Sequence, residues 1–346
     1  DLGSATANRN KEIRQQGVVT VEEGATLEDR AGGSGILNVS DASETNLNGT
    51  INAEVRNESG GEQIADGGAD GIVENGLSVD SEGSVTRITA DEVQGTITVN
   101  DTAEVVFEMG GDQVIDDLEV NSGATATLES DVTATDVDIS SETFTNEADE
   151  EEEKGTSTLN LGSNDLVITG NFNQKDLGDL DEKVSYETSG GAIVLDTDGD
   201  VGSNGVSIPN LTVEDRNDDD ADPTIPTSDT LSFDGDLRLA DDFADGGNDG
   251  TLLATGSTIL LEGDGASRTV PEFTINSSST TEVIDDGSAD DGANSLVVTD
   301  SLKFEAGELD HAADVEVQGG LVHAPASDDF AVTAADGSSI VLDGAE

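Results

Sequence analysis

The sequence predicts an all-β protein, a parallel β-helix or β-solenoid of irregular coils, with tandem β-sandwich domains as the alternative. Three observations carry the prediction. Strand-forming residues dominate the apolar set, with 31 Val and 17 Ile beside 26 Leu, broken every few residues by Gly, Asp, Asn or Ser. The apolar runs alternate with period two, as half-buried strands do. Related runs also recur along the chain, the signature of a repeat architecture.

The elements follow in order. Ala5–Gln16 is polar and is the one stretch with helical character. The strand series begins at Gly17–Glu22 (GVVTVE) and continues through Gly95–Asn100 (GTITVN), Leu166–Gly170 (LVITG), Leu296–Asp300 (LVVTD) and Val315–Gln318 (VEVQ). Five prolines leave nearly every backbone N–H available to a ladder. One repeat element places two inward apolar residues around one outward residue, as at Leu37–Val39, Ile97–Val99, Leu118–Val120, Leu211–Val213 and Phe273–Ile275. A second element recurs as Val105–Glu108, Ile193–Asp196, Ile259–Glu262 and Ile340–Asp343. Each strand buries only two or three aliphatic side chains, so stacking on its neighbours at about 4.8 Å is what makes it stable. Residues 1–30 are expected as an N-terminal arm with a first strand. Residues 31–346 are expected as a continuous solenoid, with acidic loop insertions near 147–154 and 215–223.

Phrases such as GTLLATGSTILLEGDGASRTVPEFTINSS (Gly250–Ser278) resemble the secreted β-solenoid repeat proteins of adhesin and surface-filament type. Similar wording recurs at Val184–Val213, at Ala103–Ser122 and near the C-terminus. The resemblance implies a right-handed parallel β-helix with a role at the cell surface; the acidity and the acidic insertions depart from the usual form.

The charge narrows the setting. With 77 Asp and Glu against 13 Lys and Arg, the net charge is −64. A basic footprint for nucleic acid is excluded, and docking on an anionic membrane is disfavoured. In molar salt the Debye length falls to about 3 Å and the self-repulsion largely disappears, so the composition resembles that of extreme halophiles. There is no Cys, hence neither a disulfide nor a thiolate metal site. No apolar run approaches the length of a membrane span. The sequence begins at Asp1 without a signal-like segment, so a mature secreted product is expected, extracellular or at the cell surface.

No catalytic motif stands out. Carboxylate pairs are uninformative among 77 acidic residues, and His311 and His323 lie beside no nucleophile motif. No cofactor is required; calcium is the one the residues suggest, because Asp196, Asp198 and Asp200 crowd hard oxygen donors into one Gly-containing turn. Six N-x-[ST] sequons, at Asn38, Asn48, Asn57, Asn100, Asn210 and Asn276, are glycosylation candidates for an exported chain. Subunit contact is expected at both terminal regions. Arg9, Lys11 and Arg14 form a local basic segment, and Val18, Val19 and Val21 could add a strand to a neighbour. Ile340, Val341 and Leu342 belong to a last element that is expected to present open strand edges.

The expected function is a non-enzymatic subunit of an extracellular filament or surface adhesin, assembled head to tail with copies of itself in high salt. Cell-surface or glycan ligands are further candidate partners; nucleic acid and membrane insertion are not expected. The rivals are a viral fibre or spike, and a polysaccharide-active β-helix enzyme. The first calls for a trimeric coiled coil or docking segment, and the second for an aromatic, basic cleft that 8 Phe, 1 Tyr and 13 cations supply poorly.

Overall fold

The computed structural model describes most residues from Gly76 to Leu342, and before Gly76 only the backbone of the strands. Outside it lie the first ten and last four residues, the early turns, several one- and two-residue gaps, and the segments 80–84, 109–112, 141–143, 146–150, 176–183, 215–222, 241–249, 262–266, 286–293, 324–329 and 335–338. The described residues form strands, turns and no helix. They divide into two compact units: Asp1–Val167 with Lys175–Gly191, and Ile168–Gln174 with Ala192–Glu346.

In the first unit the chain visits three parallel ladders in fixed rotation. The first ladder runs Lys11–Gln15, Gly35–Val39, Glu54–Asn57, Leu77–Val79 and then the later halves of Glu92–Val99, Gln113–Val120 and Val132–Ser140. The second begins with Val19–Val21 on Thr45–Leu47. Its place in the rotation is then taken by a separate six-stranded ladder of Glu62–Ala65, Val85–Ile88, Glu104–Phe107, Thr125–Leu128, Ser157–Gly162 and Val184–Thr188. The third holds Thr26–Glu28, Thr50–Asn52, Ile72–Val73 and the earlier halves of the three long strands. Gly95, with φ of +88°, lets Glu92–Val99 change ladders in mid-strand, where the register shifts between Val93 and Thr96.

Register turns alternation into columns. Ile13, Leu37, Val55, Leu77, Ile97, Leu118 and Val137 occupy one position in seven successive rungs. From Leu77 onward every member of that column is buried, and so is the parallel column of Val79, Val99, Val120 and Ile139. On the second ladder Ile88, Phe107 and Leu128 form a third buried column. Fully burying such a side chain contributes about 1.5–3 kcal/mol, whereas ordering one backbone residue costs about 1–2 kcal/mol. A single rung with a few inward residues therefore does not fold alone; burial supplied by the rungs on either side decides the balance.

The second unit repeats the principle. One ladder holds Ile193–Leu195, Leu211–Val213, Leu237–Leu239, Thr258–Leu261, the end of Glu272–Asp285, the end of Ser301–His311, and Phe330–Ala334. Another holds Ser207–Ile208, Thr230–Phe233, Thr251–Ala254, the starts of the same two long strands, and Gly320–His323. A third is Ser267–Val270, Ser295–Val298, Asp314–Val317 and Ile340–Leu342.

All-β, parallel, β-helix-like architecture is thus present, as expected. The antiparallel pairing that tandem sandwiches require occurs among the described registers only between Phe144–Thr145 and Glu151–Glu152, at the expected acidic insertion near 147–154. Residues 215–222, most of the second expected insertion, lie outside the described residues.

Two sequence expectations change. Lys11–Gln15, inside the polar stretch with helical character, is a strand, because its five residues pair in register with Gly35–Val39. Thr212, expected outward, is buried, as is Val194 in the strand beside it. Members of the two repeat elements also meet on one ladder, where Ile193–Leu195 pairs directly with Leu211–Val213.

Gly235 and Gly320 give a matched test of rung spacing. A Cβ on Gly235 would collide with the Pro209 carbonyl of the adjacent turn, whereas one on Gly320 would meet nothing within 4 Å. Gly235→Ala should therefore destabilise the protein by about 1–3 kcal/mol, the usual range for overpacking. Gly320→Ala should leave the denaturation midpoint in high salt near that of the wild type. Equal midpoints for the two variants would overturn the close-approach account.

Candidate functional site

Two kinds of surface stand out: the outer wall of the ladders and the strands after Gly319. The wall is made by the outward residue of each alternating triplet. On the first ladder the outward column reads Ser78, Thr98, Glu119, Asp138, beside a second of Thr96, Asp117, Asp136. Neutral donors of one rung meet carboxylates of the next. Thr98 Oγ1 donates to Glu119 Oε2 at 3.2 Å, and Thr96 Oγ1 donates to Asp117 Oδ2 at 3.1 Å. At the corner where Gly95 turns the chain, its N–H donates to Asp116 Oδ2 at 2.7 Å.

The following corner carries an amide ladder. Asn121 Nδ2 donates to Asn100 Oδ1 at 2.8 Å, and Ser140 Oγ donates to Asn121 Oδ1 at 3.1 Å. The buried Ser157 hydroxyl lies 3.0 Å from the Asn121 carbonyl and 2.8 Å from that of Ser140. On the second ladder Arg87 spans two rungs, 3.1 Å from Glu108 and 3.6 Å from Glu129. In the second unit Glu272 accepts from Thr251 and from Ser301, each at 3.1 Å. The same hydroxyl-to-carboxylate pattern thus recurs on separate ladders.

The expected site residues fall as follows. Asp196 is buried at the end of its strand, whereas Asp198 and Asp200 are exposed in the turn. That turn is tied by Thr197 Oγ1, which donates to the Gly170 carbonyl at 2.6 Å and accepts from Gly199 N–H at 2.8 Å. Among the described residues no three His, Asp or Glu side chains gather closely enough to hold a metal ion, so these carboxylates are not brought together. His311 is buried in the column that also holds Val283 and Ala334, with Nδ1 3.0 Å from the Ala313 carbonyl oxygen.

Of the sequon asparagines, Asn100 is held in the amide ladder, Asn276 is exposed and donates to Glu305, and Asn210 is half-buried. Asn38 and Asn57 lie in strands, and Asn48 lies outside the described residues. Arg9 and Val18 also lie outside them. Lys11 and Arg14 sit in the first strand at positions opposite Gly35 and Asn38, and Val19 and Val21 pair with Thr45 and Leu47.

Ile340, Val341 and Leu342 pair with Val315, Glu316 and Val317. Around them is the feature that strand patterning did not single out. Among the described residues five large apolar side chains are exposed. Four of them, Leu321 (50%), Val322 (44%), Val332 (41%) and Val341 (48%), lie on Gly320–His323, Phe330–Ala334 and Ile340–Leu342. The fifth, Val114 at 48%, stands alone on the third ladder of the first unit. The signal in sequence was the run Leu321-Val322, where period-two alternation fails.

With this geometry in view, comparison with family models, with curated proteins and with solved structures finds no match. No helix among the described residues is long and apolar enough to cross a membrane.

Tyr186, the sole tyrosine, is half-buried in Val184–Thr188 opposite Leu159, and desolvation raises its phenol above its ordinary value of 10.0. A raised acid is protonated in the fold at a pH where the unfolded chain ionises it. The stabilisation is therefore complete below pH 10 and is lost as pH rises through the folded value. Phenolate absorbance near 295 nm is expected to appear only together with loss of the β signal above that pH. Ionisation in a still-folded chain would contradict the burial.

Proposed function

We propose that the protein is a non-enzymatic structural subunit of an extracellular filament or surface adhesin that works in concentrated salt, its parallel ladders closing into a β-helix. The observation that carries this reading is the division of labour between columns. Aliphatic columns such as Leu77, Ile97, Leu118 and Val137 are fully enclosed, and the wall columns beside them are carboxylates and hydroxyls. A wall of that kind stays hydrated in brine, where salt screens its self-repulsion. The exposed valines and leucine on the strands from Gly320 to Leu342 support assembly through strand edges with further copies of the chain. In this reading nothing is asked of a cofactor, the exposed sequon at Asn276 is a place for a glycan on an exported chain, and any ligand is a surface or a glycan.

Electron microscopy of purified protein in about 3 M salt tests the reading, with filaments or stacked particles expected. Dialysis to about 50 mM salt extends the Debye length severalfold, and loss of the β signal and of compact size is expected there. A chain that keeps both in dilute buffer would remove the high-salt part of the proposal.

A further inference from the structure

Two ladders end in mid-chain. In the first unit the six-stranded ladder that begins at Glu62–Ala65 stops at Val184–Thr188, which pairs along one edge with Ser157–Gly162 and along the other with no described strand. In the second unit a four-stranded ladder starts at Ser267–Val270, which pairs among the described residues only with Ser295–Val298. Earlier strands of that unit, Leu211–Val213 and Leu237–Leu239, already stack on another ladder. The backbone along such an edge is a template for one more strand.

The inward positions at these two edges differ from those of the strands behind them. Val105, Ala126 and Leu159 form one enclosed column, and its next member is the half-buried Tyr186. Leu296 and Val315 are enclosed likewise, and the member before them is the buried Arg268, whose Nε donates to the Leu239 carbonyl at 3.2 Å. On the described interior strands of both ladders, the buried inward polar residues are only the small hydroxyls Thr86 and Ser157. A large side chain with a polar head therefore stands inward at the ladder ends alone. A strand added to Val184–Thr188 would seal the phenol beneath it, and one added to Ser267–Val270 would seal the guanidinium. Enclosing such a head without supplying it a new partner offsets the gain from the added burial. At the first edge the chain also turns away at once, because Thr188 Oγ1 donates to the Gly191 carbonyl at 2.7 Å and accepts from the Gly190 N–H at 3.1 Å.

We infer that Tyr186 and Arg268 are ladder stops, which make a further parallel strand unfavourable at the two mid-chain edges, whether it comes from this chain or from a second copy. The stops confine stacking to the strands that fold beside them, and they act whether or not the protein assembles into filaments.

The chain contains no Cys, so one introduced thiol reports on one strand. Glu187→Cys and Ser267→Cys place it at exposed positions on the two edge strands. Thr125→Cys and Glu316→Cys place it on interior strands of the same ladders as references. In about 3 M salt, a short bismaleimide linker joins copies whose edges pair. Adding Tyr186→Val to Glu187→Cys, or Arg268→Val to Ser267→Cys, should raise cross-linking between chains about tenfold, with an unchanged circular dichroism spectrum. The interior thiols should keep their original rate in the same backgrounds. Should the valine variants lose the spectrum, Tyr186→Phe and Arg268→Met keep the ring or the stem without the polar head, and a rise in the same direction is expected. Unchanged cross-linking at the edge thiols, or an equal rise at the interior ones, would overturn the stops. Loss of the spectrum in the milder variants as well would make the two residues part of the core and overturn them too.

Discussion

Every rung depends on parallel register with the next, because the burial of a side chain is supplied by the same position one turn earlier and one turn later. Leu118 is enclosed because Ile97 and Val137 flank it in the column, and the same holds for Phe107 between Ile88 and Leu128. Stability is then close to a sum of neighbour terms, as in other quasi-one-dimensional folds. Backbone ladders fix the spacing, and the close approach at Gly235 shows how little slack the turns leave.

The same register that stacks aliphatic side chains also stacks like charges. Asp117 lies opposite Asp136, and Glu119 opposite Asp138. Two unit charges about 5 Å apart repel by roughly 0.8 kcal/mol in water, and many such pairs add up against a fold of marginal stability. Two devices offset this. Hydroxyls from Thr96 and Thr98 donate to the carboxylates of the next rung, and in the proposed high-salt setting screening shortens the reach of the remaining repulsion. Arg87, between Glu108 and Glu129, is a local answer that 13 cations among 77 carboxylates supply only rarely.

Strand type and parallel stacking were legible in the sequence because period-two patterning and register obey the same geometry. Leu37, Ile97 and Leu118, picked out as one motif, do share a column. The ladder to which a strand belongs was not legible. Every ladder asks for the same apolar alternation, so Leu211–Val213 and Phe273–Ile275 look alike and lie on different ladders. Burial of Thr212 was hidden for a related reason, since a short triplet does not encode whether its outer face is covered. The amide corner was missed because Asn100 also reads as a sequon. The recurrence of Asn100, Asn121 and Ser140 just after Val99, Val120 and Ile139 is the clue that finds it. The turn of Asp196, Asp198 and Asp200 shows the reverse case, in which proximity along the chain does not become convergence in space.

The chain leaves the first ladder at Ser140 and rejoins the second at Ser157, yet Thr125 still meets Thr158 and Ala126 still meets Leu159 in unbroken register. Ser157 secures the return by bonding to the carbonyls of Asn121 and Ser140. Length at this corner is therefore decoupled from the core. Segments can be gained, lost or exchanged there over evolutionary time, or grafted by design, and the scaffold reads on from the same place.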